Sequence, residues 1–431
     1  MLGNLRNVLQ PIVDQGGSLS SELAPGVIGA RFALTLRLPL KQTLIDTYGA
    51  YLARNRVDKP DLWKARQVAL PAGRNFTPVR IGVWDSGVDS ALFKQQVLRD
   101  ARGQPLLNAF DKYGKPSSTE LQMLPAAMLA ELPKMRSRTK GFSDMEANID
   151  SAQASELKQF LSNLKAEDYK SAIEEINLAG NYEHGTHVAG IALDGNPYAR
   201  LLITRIEFGH TLAPDPCPSR AQADKDAQAL AAQIQFLKFH KARVVNMSWG
   251  GSVRAIEKEL EQCWPGGTLD ERKALARELF NTMRDTLRRG FAGAPQVLWI
   301  TAAGNSNEDA TFAEDAPADI VLPNLLTVGA VDQAGDEASF TSYGPTVKVH
   351  ANGYLVESFI PGGDRVALSG TSMAAPQVAN LAGKMLAVNP RLSPPQVIAL
   401  IVATADKTAD GRRTLVNPAR ALAKAGLRQA R

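Results

Sequence analysis

The stretch Gly370-Thr371-Ser372-Met373-Ala374-Ala375-Pro376 places one serine between a flexible glycine and a run of small residues. Apolar side chains at helical spacing follow from Val378 to Leu386, so the pattern predicts that Ser372 lies at the start of a helix. The backbone N–H groups of a first helical turn are unpaired and can stabilise a developing oxyanion. Ser372 is therefore a candidate acyl-transfer nucleophile, although a Gly-Thr-Ser sequence alone would favour a simple helix cap.

Three other polar residues follow predicted strands or begin a predicted helix. Val79 to Asp85 has the pattern of a short buried strand that ends in an aspartate, and Gln296 to Thr301 is a second strand, which leads to Asn305. His184 stands at the start of a predicted helix of small residues. Because an open parallel sheet gathers its active site at such turns, we expect the four polar side chains to share one cleft.

At these motifs the chain resembles the subtilisin-like serine proteases, the subtilases. The matching segments are Asp85-Ser86-Gly87, His184-Gly185-Thr186-His187-Val188-Ala189-Gly190 and Gly370-Thr371-Ser372-Met373-Ala374, in the subtilisin order of Asp, His and Ser. The resemblance covers about residues 76–425, with one large interruption. It implies an α/β fold of three layers, with a mostly parallel central sheet and helices on both faces. It also implies a serine endopeptidase that works through an acyl-enzyme.

The resemblance implies a role for each polar group. Ser372 would be the nucleophile and His184 its general base. Asp85 would hold the imidazole in place and stabilise its charged form. Asn305 would donate its side-chain amide to the oxyanion, together with the backbone N–H of Ser372. Asp89 competes with Asp85 for the role of carboxylate, but Asp85 directly ends the strand and stands at the family's position.

These residues have two other interpretations. His184 and His187 lie about one helical turn apart and could be metal ligands, with Glu183 and Asp194 nearby. The chain has no His-Glu-x-x-His arrangement, and zinc would not explain the other polar groups. A catalytically silent binding scaffold would need none of them. We therefore expect no metal or cofactor in the chemistry; calcium could brace loops, but no calcium loop is identifiable.

Two segments are expected to hold an extended protein or peptide substrate. Each follows a predicted buried strand, and small residues with free backbone groups suit pairing with a peptide. Trp249 has two interpretations, a wall of a specificity pocket or a core residue. The predicted substrate-binding residues are Ser248, Trp249, Gly250, Ala302, Ala303 and Gly304.

Strands alternate with helices beyond His184, which favours a parallel sheet covered on both faces. Helix starts are indicated by Thr268 with Glu271 and by Ser393 with Gln396, since each pair forms a capping-box pattern. The predicted strands of this part are Leu201–Ile206, Arg243–Met247, Val297–Thr301 and Leu325–Val331.

The chain divides into an N-terminal extension, residues 1–75, and a catalytic domain, residues 76–431. Arg31 to Leu38 alternates loosely between apolar and polar residues and predicts a strand. Two interpretations of the extension are a pro-region remnant and a structural arm; we favour the arm, because the segment is short and shows no cleavage signal.

Asp85 and His184 are separated by 99 positions. Residues of about 100–180 show helical spacing, as at Leu157, Phe160 and Leu161, and predict a helical insertion beside the site. It is either a surface decoration or a lid, regulatory element or partner-docking surface.

The composition bounds the partners. The net charge of +5 comes from 49 basic and 44 acidic residues and gives no case for nucleic acid. No apolar run long enough for a membrane span and no secretory signal are recognisable, so a cytoplasmic location is the first expectation. Cys217 and Cys263 each follow a predicted central strand; they are either free thiols or a disulfide across the cleft rim. A disulfide would favour an extracytoplasmic location after removal of a signal.

Overall fold

The computed structural model describes residues 1–264 and 266–427. Within them the chain forms one large sheet and two small ribbons. The strands are β1 (Val79–Asp85), β2 (Leu107–Phe110), β3 (Pro116–Ser117), β4 (Ala199–Ile206), β5 (Val244–Met247), β6 (Gly251–Ser252), β7 (Leu298–Ala302), β8 (Asp315–Ala316), β9 (Leu325–Val331), β10 (Val347–Asn352), β11 (Val356–Phe359), β12 (Arg365–Leu368), β13 (Asp406–Lys407) and β14 (Thr414–Leu415).

Helices occupy most of the remaining chain. Short π-helical segments at Leu5–Leu9 and Ala33–Arg37 and a 3-10 helix at Ser90–Phe93 complete the set. The α-helices are α1 (Leu2–Asn4), α2 (Gln10–Gly16), α3 (Ala24–Phe32), α4 (Lys41–Arg54), α5 (Ala126–Ala130), α6 (Leu132–Glu146), α7 (Ala152–Asn163), α8 (Tyr169–Leu193), α9 (Arg220–Phe239), α10 (Val253–Cys263), α11 (Leu269–Ala292), α12 (Thr371–Val388), α13 (Pro394–Thr404) and α14 (Pro418–Ala425).

The large sheet has ten strands in the order β13-β14-β10-β9-β7-β5-β1-β4-β2-β3. Its centre is parallel from β10 through β9, β7, β5, β1 and β4 to β2, and each end carries an antiparallel pair. The four strands predicted beyond His184 are present as β4, β5, β7 and β9. Because β1, β5 and β7 are neighbours, the polar residues that follow them meet at one edge of the sheet.

Side chains of β1 alternate between two cores, one on each face of the sheet. Ile81 and Val83 belong to a cluster that includes apolar residues of α8 and α12. Trp84 belongs to a second cluster, which includes residues of α9 and α11. The sheet therefore lies between two helical layers, and the predicted three-layer α/β fold is confirmed.

The helix that carries His184 differs from the prediction. The small-residue pattern placed His184 at a helix start, whereas α8 begins at Tyr169 and runs without a break through the histidine motif. Residues of the predicted insertion therefore form the first turns of the same helix. The helical spacing that continues from Tyr169 through Ile173 and Ile176 was the signal for this continuity.

The insertion packs closely around α8. Helix α6 contacts both α7 and α8. Gly141 lies inside α6, where a Cβ atom would come within 2.4 Å of the Gln153 carbonyl oxygen. Glycine therefore lets α6 and α7 approach each other. Pro125 occupies the N-cap position of α5, directly before Ala126.

The predicted strand at Arg31–Leu38 is wrong, because this segment is helical. Its backbone bonds are local, as when the Leu38 N–H donates to the Ala33 carbonyl. The segment has no sheet edge beside it with which a strand could pair. An isolated strand would leave its backbone hydrogen-bonding groups unpaired.

Two predicted helix starts are confirmed. Thr268 with Glu271, and Ser393 with Gln396, form the predicted capping boxes of α11 and α13. Cys217 and Cys263 form a disulfide. In the part of the chain that the structure covers, none of the helices has the length and apolar character needed to cross a membrane.

Candidate active site

Asp85 and His184 form a hydrogen-bonded pair at the edge of the sheet. The Asp85 side chain is fully buried at the end of β1, and the His184 Nδ1 lies 2.7 Å from its Oδ1. Gly185 makes this approach possible, because a Cβ atom there would come within 2.2 Å of the Gly87 carbonyl oxygen. The Gly185 N–H donates to Ser86 Oγ at 3.0 Å. The Asp-Ser-Gly and His-Gly motifs thus fit against each other.

This pairing alters the proton affinity of the imidazole. Burial lowers the pKa of His184, but the charge and hydrogen bond of Asp85 outweigh that effect, and the pKa is raised above its ordinary value of 6.5. A carboxylate beside the Nδ1 atom also favours the tautomer in which Nδ1 carries the proton. The Nε2 atom is then free to accept a proton.

His187 sits in a different environment one turn further along α8. It is completely buried, and its Nε2 donates to the Val366 carbonyl oxygen at 2.9 Å. Burial lowers the pKa of His187 to about 4, so its imidazole stays neutral. Among the residues that the structure describes, no cluster of three His, Cys, Asp or Glu side chains suited to a metal is found.

Ser372 lies in the first turn of α12, as predicted. Its Oγ donates to the Ser248 carbonyl oxygen at 3.2 Å, and its own carbonyl oxygen accepts from Ser248 Oγ at 3.0 Å. Within the described residues, Ser372 forms no hydrogen bond with His184, although both line the same cleft. Catalytic hydrogen bonds are often loose before substrate binds, and rotation about the Ser372 Cα–Cβ bond would release Oγ from Ser248.

Asn305 is held by the residue before Ser372. Its Oδ1 accepts from both the backbone N–H and the hydroxyl of Thr371, each at 2.9 Å. These two bonds leave its Nδ2 free to donate elsewhere. A Cβ atom on Gly370 would lie 3.4 Å from Asn305 Nδ2 and 3.7 Å from the Ser372 backbone nitrogen. Two donors therefore flank one small space, which stays open because residue 370 is glycine.

Replacing Asn305 by aspartate separates these two functions. Aspartate keeps an acceptor for Thr371 but loses the Nδ2 donor, so kcat for a peptide substrate should fall about 10²–10³-fold, as when one oxyanion donor is removed from subtilisin. The substrate KM should change little, because the donor acts on charge that develops later. An N305D variant that folds normally and keeps wild-type kcat would contradict the assigned role.

His184, Asn305 and Ser372 line a cleft of about 1040 Å³, whereas the buried Asp85 is not part of its lining. Of the six predicted substrate-binding residues, Ser248, Trp249 and Gly250 line it. Trp249 also packs edge-on against Trp84, with ring centroids 5.1 Å apart, and so contacts the core as well as the cleft.

The second predicted segment is placed differently. Ala302 and Ala303 are buried, and Ala302, Ala303 and Gly304 do not contribute to the cleft lining described here. The Ala303 N–H is bonded to the Val328 carbonyl oxygen, and the Gly304 N–H donates to Thr371 Oγ1 at 3.2 Å. Their backbone groups are thus used to position Asn305 and α12. A strand-then-glycine pattern cannot distinguish a cleft wall from such a support.

The insertion supplies part of the cleft, which sequence patterns did not reveal. Thr139, Phe142, Ser143 and Glu146 of α6 all line it. Glu183, considered above only as a metal ligand, lies beside them with 2% exposure and accepts a hydrogen bond from Thr139 Oγ1 at 2.7 Å. Burial raises the pKa of Glu183 to about 7, against the opposing effect of that bond. Its place directly before His184 was the only signal for it.

Glu183 makes folding stability depend on pH. The folded protein holds this proton up to about pH 7, whereas the unfolded chain releases it near 4.5. The protonated Glu183 carboxyl therefore contributes fully to the free energy of unfolding below pH 4.5. This contribution, roughly 3 kcal/mol, is lost as the pH rises through 7. Glutamine does not titrate, so a Glu183→Gln variant does not lose this contribution. Between about pH 5 and pH 9 its free energy of unfolding should therefore rise by that amount relative to wild type.

Denaturant unfolding at about pH 5 and pH 9 measures this difference. Glu167→Gln is the matched control, since Glu167 is exposed and should give equal stability changes at both pH values. An E183Q variant whose stability tracks that of wild type across the range would show that the buried carboxyl does not hold its proton.

The disulfide joins two walls of the cleft. Cys217 lies in the segment after β4, between the lining residues Pro216 and Pro218, and Cys263 ends α10, next to the lining residue Gln262. The cross-link therefore limits how far these walls can separate. This outcome settles the alternative between free thiols and a rim disulfide.

Two known proteins have sequences similar to this chain. Subtilisin DY of Bacillus licheniformis is 30% identical over 242 residues, which make up 55% of this chain and 75% of that protein. The Penicillium rubens subtilisin-like serine protease Pen ch 13 is 29% identical over 211 residues, 48% of this chain and 43% of that protein. The chain thus spans less than half the length of this fungal relative.

Similarity extends to a solved structure and to a family model. A cold-adapted subtilisin-like serine proteinase of known structure aligns over 84% of this chain and 95% of that one, with 19% identity and a TM-score of 0.42. The model of the subtilase family matches residues 77–420, which is most of the chain. That match includes the Asp, His and Ser motifs in their order, and with it the chain belongs to the subtilase family.

Proposed function

We propose that the protein is a serine endopeptidase that hydrolyses peptide bonds through an acyl-enzyme. Ser372 is the nucleophile, His184 the general base, Asp85 the carboxylate that orients it, and Asn305 an oxyanion donor. The observation that carries the proposal is the 2.7 Å contact between buried Asp85 and His184 Nδ1, on the cleft that Ser372 also lines. An aspartate so placed leaves the imidazole Nε2 available to a hydroxyl.

The reaction begins when Ser372 Oγ leaves the Ser248 carbonyl and turns toward His184 Nε2. The imidazole takes the hydroxyl proton as Oγ attacks the peptide carbonyl carbon, and Asp85 stabilises the imidazolium. The carbonyl oxygen becomes negative between Asn305 Nδ2 and the Ser372 N–H, where two fixed donors need no reorganisation. His184 then protonates the leaving amine, and water repeats the steps to release the acid. No metal is needed for this proposed chemistry.

The insertion is proposed to restrict access to this site. Ser143 Oγ of α6 accepts a hydrogen bond at 3.1 Å from the N–H of Ser369, three residues before the nucleophile. Arg136 of the same helix donates to the Pro361 carbonyl oxygen at 2.8 Å and pairs with Asp364. These contacts hold α6 against the segment that leads into α12, where it narrows the entry for a folded protein more than for an extended peptide.

Residues 1–75 are proposed to form a structural arm of the catalytic domain, residues 76–431. Asn7 donates to the Ala166 carbonyl oxygen at 2.8 Å, and the Ser20 N–H donates to Glu261 at 2.7 Å. The arm thus connects the start of α8 with α10. None of its described residues lines the cleft, so its packing fits a support better than an inhibitory pro-region.

A fluorophosphonate probe tests the proposed function directly. Such a probe bonds covalently to a serine activated by a neighbouring base, so wild-type protein should be labelled at Ser372 and the S372A variant should not. Mass spectrometry of the labelled peptide identifies the site. Failure of the wild-type protein to react, while its thermal unfolding shows an intact fold, would reject the enzyme and favour a binding scaffold.

A further inference from the structure

Carboxylates enter the cleft from three of its walls. Glu146 lies on α6, Asp226 on α9 and Glu259 on α10, and all three line the cleft. Their side chains are exposed to solvent, yet partial burial in this concave site raises the pKa of each carboxyl. In the described part of the chain none of the three forms an ion pair, and Asp226 accepts one hydrogen bond, from Gln222 at 2.8 Å.

The basic residues of the cleft do not balance this charge. Lys112 is paired with Asp215, and Glu207, another lining carboxylate, lies 3.6 Å from the Arg205 guanidinium. Lys258, beside Glu259, is the remaining lysine among the lining residues. Unpaired carboxylates in a cleft with low-dielectric walls focus a negative potential, which attracts cations more strongly than an exposed surface does.

Glu183 adds an independent sign of a cationic ligand. It lines the same cleft with 2% exposure, and while Oε2 accepts from Thr139, its Oε1 has no hydrogen-bond partner among the described residues. Arg136 is the neighbouring cation; its two terminal nitrogens donate to Asp364 and to the Pro361 carbonyl oxygen, and its buried Nε has no hydrogen-bond partner among the described residues. Glu183 keeps its proton up to about pH 7 in the free protein, and a cationic ligand beside the unpartnered Oε1 would favour the ionised form.

We propose that this cleft selects peptides that carry lysine or arginine side chains. The inference rests on the proposed protease function and names its substrate class. A cationic side chain of an extended peptide would pair with carboxylates that the free protein leaves unpaired, and partial exclusion of water would strengthen each pair. Glu146 supplies this charge near the nucleophile, since it lies one helical turn from Ser143, which bonds Ser369; Asp226 and Glu259 supply it along the cleft.

Matched peptides test the selection. Two fluorogenic peptides of equal length and scissile residue would differ only in having two lysines or two glutamines at the flanking positions. At low ionic strength we expect kcat/KM to be about tenfold higher for the lysine peptide. The preference should shrink at about 1 M salt, where charges are screened within roughly 3 Å.

Charge variants locate the effect. The triple variant Glu146→Gln, Asp226→Asn and Glu259→Gln should bring the ratio of the two kcat/KM values close to one, mainly by lowering kcat/KM for the lysine peptide. The control triple variant Asp46→Asn, Asp58→Asn and Glu167→Gln changes the net charge equally at exposed positions outside the cleft lining. It should retain the wild-type ratio.

The possible outcomes distinguish a failure of this inference from a failure of the proposed protease function. Equal cleavage of both peptides by wild-type protein that the fluorophosphonate labels would overturn the selection and leave the protease intact. An equal loss of preference in the control triple variant would also overturn the selection, because the overall charge of the protein would then explain the preference. If neither peptide is cleaved and Ser372 is not labelled, the proposed function fails and the inference falls with it.

Discussion

Replacing His184 by alanine is expected to lower kcat for peptide hydrolysis about 10⁶-fold, the size measured when the histidine or serine of subtilisin is removed. The hydroxyl of Ser372 is almost unreactive without a base. Its hydrogen-bond acceptor among the described residues is the Ser248 carbonyl oxygen, which cannot replace His184 as a base. The remaining rate should still exceed that of the uncatalysed reaction, because Asn305 and the Ser372 N–H continue to bind the oxyanion.

Single-turnover kinetics on purified H184A protein measure this loss, with circular dichroism to show that the fold persists. The matched control is His187→Gln, because a glutamine amide can still donate to the Val366 carbonyl oxygen that His187 contacts. H187Q should keep kcat within about tenfold of wild type. If H184A stays active while folded, or H187Q is equally inactive while folded, His184 is not the general base.

Replacing Asp85 by asparagine should lower kcat about 10⁴-fold near pH 8, as for the corresponding aspartate-to-asparagine change in a trypsin-type protease. The change removes the charge that stabilises the His184 imidazolium. In the wild-type protein, the buried Oδ2 of Asp85 has no hydrogen-bond partner among the described residues. The asparagine would place its NH2 group at this position, so an unpaired donor would replace an unpaired acceptor. The fold should survive, since the side chain keeps its shape.

The pH profile gives a second readout of the same variant. In wild type, kcat/KM should rise with pH as His184 loses its proton, with a midpoint above 6.5 because Asp85 holds the pKa of the imidazole up. Without that charge the effect of burial dominates, and the residual activity of D85N should have its midpoint at lower pH. A midpoint that does not move would mean that Asp85 and His184 are not coupled.

Asp89 provides the control, because sequence spacing alone made it a competitor of Asp85. Its Oδ1 accepts from the Ala91 N–H at 3.2 Å, and its Oδ2 accepts from the Gly362 N–H at 2.9 Å. Both bonds are to the backbone, and His184 is paired with Asp85 instead. D89N should therefore keep the wild-type midpoint and lose kcat by no more than about tenfold.

Local patterns were sufficient wherever a short segment carries its own signal. Buried apolar runs located β4, β5, β7 and β9, and the pairs Thr268–Glu271 and Ser393–Gln396 located helix starts, because strand burial and capping are short-range properties. The same holds for Ser372 at the start of α12. In contrast, the pattern of Arg31–Leu38 failed, since a strand depends on a partner edge that no local sequence can supply.

The tertiary structure alone decided how these segments combine. The small-residue pattern could not show that α8 extends back through the insertion, because that pattern covers only the later turns of the helix, nor could it show that α6 packs beside it. Nor could it show that α6 lines the cleft beside Ser372, or that Gly304 donates to Thr371, which in turn donates to Asn305. Such contacts join residues far apart in the chain, so their geometry depends on how whole elements pack and not on the spacing of residues within one element.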